Sequence, residues 1–185
     1  MDKKKVSIHI GELHASMRPV VIETVLGSCV AVCLHDPVAC VGGMNHIFLP
    51  GRSDLKCFDS VARYGINAME LLINRIMRLG GARDRLVAKA FGGAHIVPEI
   101  SRENGMGARN VEFVLEFLKM EGIALASHDL GGCDTRRIYF HTDTGDVYLK
   151  RFTHARHPVI ARRERDLLER VRKEAEEAGE VILFT

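Results

Sequence analysis

Cys29 and His46 are the residues of this chain best placed to do nucleophilic chemistry. Cys29 lies in the run Leu26-Gly27-Ser28-Cys29-Val30-Ala31-Val32, and His46 follows seventeen positions later at the end of Gly42-Gly43-Met44-Asn45-His46. A thiol attacks efficiently near neutral pH only when a neighbour draws off its proton, because a free cysteine has a pKa of about 8.5. Imidazole is the commonest such neighbour, and a cysteine with a histidine elsewhere in the chain fits a thiol hydrolase. Small Gly27 and Ser28 let a substrate carbonyl approach the backbone, while Val30, Ala31 and Val32 would anchor the sulfur on a buried strand. Core packing is the other reading of Cys29, since free cysteine is among the most buried residue types.

The elements around the pair must then bring it together. Residues 6–10 alternate apolar and polar side chains, as a half-buried strand does, and 11–19 read as a connector. Two β-rich runs, 20–25 and 29–34, are separated by Gly27-Ser28, which places Cys29 at a bend where two strands meet. Asp36-Pro37 is a turn signal, and 41–49 should return as a strand carrying His46, so one turn between neighbouring strands would bring the two residues close.

Beyond this hairpin, Asp59 or Ser60 caps a helix with apolar residues at 61, 64, 68, 69, 72, 76 and 79, stopped by Gly80-Gly81. A buried strand over 85–91 ends in Gly92-Gly93, and 98–107 read as a loop. Asn110 is expected to cap a second helix running to Met120, with Gly122 ending it. A short strand over 123–126 follows, then a hairpin about Asp143-Thr144-Gly145. Several consecutive strands lack a helical crossover, so the expected class is α/β of the α+β type, with mixed sheets and two main helices. From Pro158 to Ala178 the chain is heavily charged with a narrow apolar stripe, which predicts a C-terminal helix. The division expected is one domain over 1–157 and a charged helical extension over 158–185.

Composition narrows the function. At 185 residues, 46% hydrophobic and 27% charged, the chain suits one globular domain with a substantial core. A net charge of +2, no Trp and no basic patch flanked by aromatics argue against nucleic acid. The five cysteines (29, 33, 40, 57 and 133) are odd in number and unevenly spaced, which favours reduced thiols. No C-x-x-C pair is present, and Cys29 with Cys33 lacks a second such unit, so neither a zinc site nor a cofactor is expected. Met1-Asp2-Lys3-Lys4-Lys5 and the lipoprotein-like Leu26-Gly27-Ser28-Cys29 hint at an export signal. Glu12, His14, Arg18, Pro19 and Glu23 interrupt any apolar segment between them, so a cytoplasmic protein without membrane insertion is expected.

Several blocks in one order carry a resemblance. Leu26-Gly27-Ser28-Cys29-Val30, Asp36-Pro37, Gly43 with His46, and Leu49-Pro50 come first. Phe91-Gly92-Gly93-Ala94, Gly107-Ala108-Arg109-Asn110-Val111, Asp129-Leu130-Gly131-Gly132 and Thr144-Gly145 follow. Over about residues 6 to 152 the chain resembles the CheD family, the chemoreceptor glutamine deamidases of bacterial chemotaxis. The resemblance implies a layered sandwich similar to the cysteine deamidase toxins. It implies that Cys29 is the nucleophile and His46 its general base and acid, acting on receptor glutamine side chains to give glutamate and ammonia. Backbone N–H groups about Gly27 and Ser28 would hold the oxyanion.

A threonine shortly before the Gly-Ser-Cys block orients the imidazole in that family. Thr24 lies five positions before Cys29 and Glu23 six; Asn45 is a weaker rival, turned away from His46 by strand alternation. His95 would line the same cleft, and Arg109 would contact substrate or lie in solvent. Implied partners are the cytoplasmic parts of methyl-accepting receptors and a phosphatase of the CheC type. Two rival readings differ in class: a non-catalytic adaptor for that phosphatase, and another Cys-His amidase.

Overall fold

The computed structural model describes residues 3–49, 55, 60–96, 105–152, 162 and 166. Nine strands and two long helices occur among them: β1 (Lys4–Ser7), β2 (Leu13–Ser16), β3 (Val20–Leu26), β4 (Val30–Asp36), β5 (Val41–Ile47), α1 (Ser60–Arg78), β6 (Val87–Gly92), α2 (Met106–Met120), β7 (Ala124–Leu130), β8 (Thr135–His141) and β9 (Val147–Phe152).

The strands form two mixed sheets. One has the order β1-β3-β8-β9 and the other β2-β5-β4-β6-β7. Within the first only β1 and β3 run parallel, and within the second only β6 and β7 do. The α+β class with mixed sheets and two helices is therefore the one the sequence leads to.

Alternation along β4 and β5 sorts their side chains between two cores. Val30, Val32, Leu34, Val41 and Ile47 pack with Met69, Leu72, Ile73 and Ile76 of α1 and with Phe113, Val114, Phe117 and Leu118 of α2. Cys29, Ala31, Cys33, Met44 and Phe48 face the other way, against Ile22 and Leu26 of β3 and Ile138 and Phe140 of β8. The five-stranded sheet is thus covered by the helices on one face and by the four-stranded sheet on the other. Burying both faces explains why β5 has no exposed residue along its whole length.

Three expectations need correction. The connector over 11–19 contains β2, a four-residue edge strand paired antiparallel with β5 through Leu13–Asn45 to Ser16–Gly42. The strand expected over 123–126 runs on to Leu130, because parallel pairing with β6 continues through a register shift at Ala88/Lys89. Asn110 does not cap α2: the helix begins at Met106 after Gly105, and Asn110 lies within it, fully buried. The charged helix expected over 158–178 lies outside the described residues, apart from the isolated positions 162 and 166. No helix among the described residues is long and apolar enough to cross a membrane.

Candidate active site

The chain leaves β3 in one sheet and enters β4 in the other through the bend 27–29, and Cys29 is the last residue of that bend. β4 and β5 form an antiparallel hairpin in which Ala31 stands opposite His46 and Val30 opposite Ile47. Were the ladder continued by one step, Cys29 would stand as a diagonal neighbour of His46. Such neighbours lie about 7–8 Å apart at the backbone, within reach of their side chains. Both residues are sealed between the sheets, Cys29 at 1% exposure and His46 at 4%.

Thr24 reaches the histidine from the opposite sheet. Its Oγ1 lies 2.8 Å from His46 Nδ1 and 2.8 Å from the carbonyl oxygen of Ile8. These two contacts fix the proton positions. A carbonyl only accepts, so the single hydroxyl proton of Thr24 goes to Ile8, and Oγ1 must accept from the Nδ1–H of His46. Nε2 is left as the lone-pair nitrogen. It is buried and has no hydrogen-bond partner among the described residues. Glu23 points elsewhere, accepting from the Ser7 hydroxyl at 2.8 Å. Asn45 faces the helices, where its amide donates to the Ala68 carbonyl and accepts from Val32 N–H.

The backbone around His46 is held as firmly as its ring. His46 N–H donates to the Glu12 carbonyl at 3.0 Å, and its own carbonyl accepts from Gly11 N–H at 2.9 Å. The segment joining β1 to β2 therefore pairs with the main chain of His46, next to the β2–β5 ladder. Burial pushes the imidazole pKa down from 6.5 to about 3, with a smaller contribution from His9, so the ring is neutral at pH 7. Among the described residues the Nε2 lone pair is thus free of any hydrogen bond, while the burial that keeps the ring neutral also makes it a weaker base than free imidazole.

The bend is held by its carbonyls. Gly27 accepts from Ala94 N–H at 2.8 Å, Cys29 accepts from Gly93 N–H at 2.7 Å, and Ser28 accepts from the Asn110 side-chain amide at 2.9 Å. All three partners lie where the end of β6 meets the first turns of α2. A trans peptide sets C=O and N–H antiparallel, so these bonds orient the following amide groups of the bend as well. Close approach demands glycine here: a Cβ on Gly92, which has φ +113°, would lie 2.1 Å from the Cys29 oxygen.

The remaining singled-out residues frame this arrangement. Buried Arg136 donates to Asp129 at 3.0 Å and to the Gly131 carbonyl at 2.5 Å, which ties the Asp129-Leu130-Gly131-Gly132 turn to β8. Gly131 N–H in turn donates to the Gly92 carbonyl at 2.9 Å. His95 lines a cavity of about 360 Å³ with Gly93, Val111, Glu112 and Gly132, of which neither Cys29 nor His46 forms a wall. Arg109 is half-buried on α2 beside Asn110. Sequence reasoning missed Asn110 as a site residue and read it as a cap; a polar side chain amid Val111, Val114 and Leu118 was the available signal.

The match to known proteins is broad. The family model for CheD chemotactic sensory transduction matches residues 48–151, a span that starts just after His46. Among curated relatives, the probable chemoreceptor glutamine deamidase CheD 1 of Shewanella oneidensis is 41% identical over 185 residues, covering 99% of this chain and 89% of the relative. The protein of the same name from Geobacter sulfurreducens is 45% identical over 166 residues, covering 86% and 83%. The probable chemoreceptor glutamine deamidase CheD of Caulobacter sp. is 46% identical over 144 residues, covering 77% and 75%.

Proposed function

The chain belongs to the family of CheD chemotactic sensory transduction proteins, and from that membership we propose that it deamidates glutamine side chains of chemoreceptors through Cys29 and His46. The observation that carries the mechanism is the buried, unpartnered Nε2 of His46, with Nδ1–H committed to Thr24. Nε2 takes the thiol proton as the sulfur attacks the carboxamide carbon. Thr24 keeps the second ring nitrogen protonated and so supports the imidazolium that forms. The tetrahedral oxyanion is met by backbone amides of the Gly27 to Cys29 bend, whose carbonyls are turned into the scaffold. The imidazolium then protonates the departing nitrogen, ammonia leaves, and a thioester remains. Water, deprotonated by the same Nε2, hydrolyses it to glutamate and free thiol.

In this reading the catalytic unit spans residues 1–157, resembles the cysteine deamidase toxins in its layering, and works in the cytoplasm on the cytoplasmic parts of receptors. The test is peptide mass mapping of a receptor cytoplasmic fragment incubated with this protein and with Cys29→Ala. Glutamine converted to glutamate by the wild type alone supports the reading. Conversion by both proteins sinks the role of Cys29. Conversion by neither, across several receptors, removes the deamidase and leaves an adaptor that binds a phosphatase of the CheC type.

A further inference from the structure

Asn110 is the buried polar side chain of α2 that the mechanism above leaves unused. It has no exposed surface and sits on a helix face otherwise occupied by Phe113, Val114 and Phe117. An amide in such a place is costly unless both of its ends are satisfied. Both are, and by the two halves of the site. Its Nδ2 donates to the carbonyl of Ser28, the residue before Cys29, at 2.9 Å. Its Oδ1 accepts from the backbone N–H of Leu49, three residues beyond His46, at 2.8 Å.

We propose that Asn110 is a positioning residue that sets the spacing of Cys29 and His46 by clamping the bend that holds one to the strand end that holds the other. The inference rests on the Cys29–His46 reading. The β4–β5 ladder fixes Val30 against Ile47 and ends at that pair, where both segments leave the sheet. Asn110 supplies a bridge where the ladder has run out. Helix α2 is rigid enough to serve as the frame, since Gly107 lets it settle on the carbonyls of Gly93 and Ala94. The same Gly93 and Ala94 donate to the carbonyls of Cys29 and Gly27 in the bend.

Asn110→Leu keeps the branched skeleton and removes both bonds; Asn110→Asp keeps the acceptor for Leu49 and sets a carboxylate against the Ser28 oxygen. A misplacement of about 1 Å costs on the order of 10²-fold in rate, so kcat for deamidation should fall about that far with little change in KM. A second readout needs no receptor. Iodoacetamide labelling of Cys29, followed by peptide mapping, should slow roughly tenfold in Asn110→Leu when His46 is present, in line with the loss of base assistance. In a His46→Ala background the same change should slow labelling no further. Equal effects in both backgrounds would overturn the proposal, as would a kcat within threefold of wild type in folded protein, or failure of both Asn110 variants to fold. Labelling that behaves as described while no receptor is deamidated would instead sink the deamidase reading alone.

Discussion

Thr24→Val replaces a hydroxyl by a methyl of nearly the same shape, so it isolates what the hydroxyl does. Two bonds disappear, to Ile8 O and to His46 Nδ1, each 2.8 Å and each sealed from water. An orphaned buried polar group costs about 1–3 kcal/mol, and the added methyl offsets part of it, so the net loss of stability should be about 2–4 kcal/mol. The catalytic loss has a different origin. Without an acceptor at Thr24, nothing holds the proton on Nδ1, and a ring protonated on Nε2 instead has no lone pair for the thiol. The expected fall in kcat is about 10²-fold, rising toward about 10⁴-fold if the wrong tautomer dominates. Thr24→Ser retains the hydroxyl and should stay within about fivefold of wild type. The measurements are ammonia release at saturating receptor fragment, urea unfolding, and nitrogen NMR of the imidazole to read the tautomer. Wild-type kcat in Thr24→Val, or equal damage in Thr24→Ser, would refute the reasoning.

Acid should destabilise the fold through His46. Its folded pKa is about 3 against 6.5 unfolded, so between these values the unfolded chain takes up a proton that the folded one refuses, and stability falls as pH falls. From pH 6.5 to 4.5, wild type should lose about 2–3 kcal/mol more than His46→Gln, measured by urea unfolding at both pH values; equal losses would exclude the buried neutral ring. His14 shifts in the same direction but contributes alike to both proteins, and so cancels. Gly92→Ala should cut kcat by at least about 10²-fold, because its Cβ would lie 2.1 Å from the Cys29 oxygen and displace the bend. Gly122→Ala, also at positive φ but with open space around it, should cost only about 1–3 kcal/mol of stability and leave kcat intact. Matching kinetics for the two variants would show that strain, not the contact with Cys29, is what matters.

The hairpin that follows Cys29 and carries His46 was legible because it is written in short-range signals. Gly27-Ser28 marks the bend, Asp36-Pro37 marks the turn, and apolar runs mark the strands between. Asn110 was not legible for a related reason: asparagine is a good cap, and Gly105 and Gly107 make the preceding segment read as loop. Gly107 lies inside the helix because the Gly93 and Ala94 carbonyls need its missing side chain, a tertiary demand that local propensity does not contain. β2 escaped because four residues of an edge strand, Leu13–Ser16, give too short an alternation to count. Thr24 was a candidate through the family resemblance, by its place shortly before the Gly-Ser-Cys block. Its meeting with His46 depends on β3 and β5 lying in different sheets, and periodicity does not say to which sheet a strand belongs.

That division between sheets also bears on the chemistry. A Cys–His pair can rest as a charged pair or as a neutral one, and burial decides between them, because desolvation penalises the imidazolium. Here the ring lies between two packed sheets, faces Thr24 rather than a carboxylate, and has its pKa held at about 3. A carboxylate in place of Thr24 would stabilise the imidazolium and lift that value; a hydroxyl that already donates to Ile8 can orient the ring without adding charge. The ring therefore rests neutral, and on the proposed mechanism charge develops only during attack, when the oxyanion and imidazolium arise together and partly compensate each other. Thr24→Asp, which supplies that missing charge, should raise the pKa of His46 in an NMR titration while failing to restore the wild-type kcat. An imidazole that still refuses a proton down to about pH 4 in that variant would show that burial alone, and not the choice of a neutral partner, sets its state.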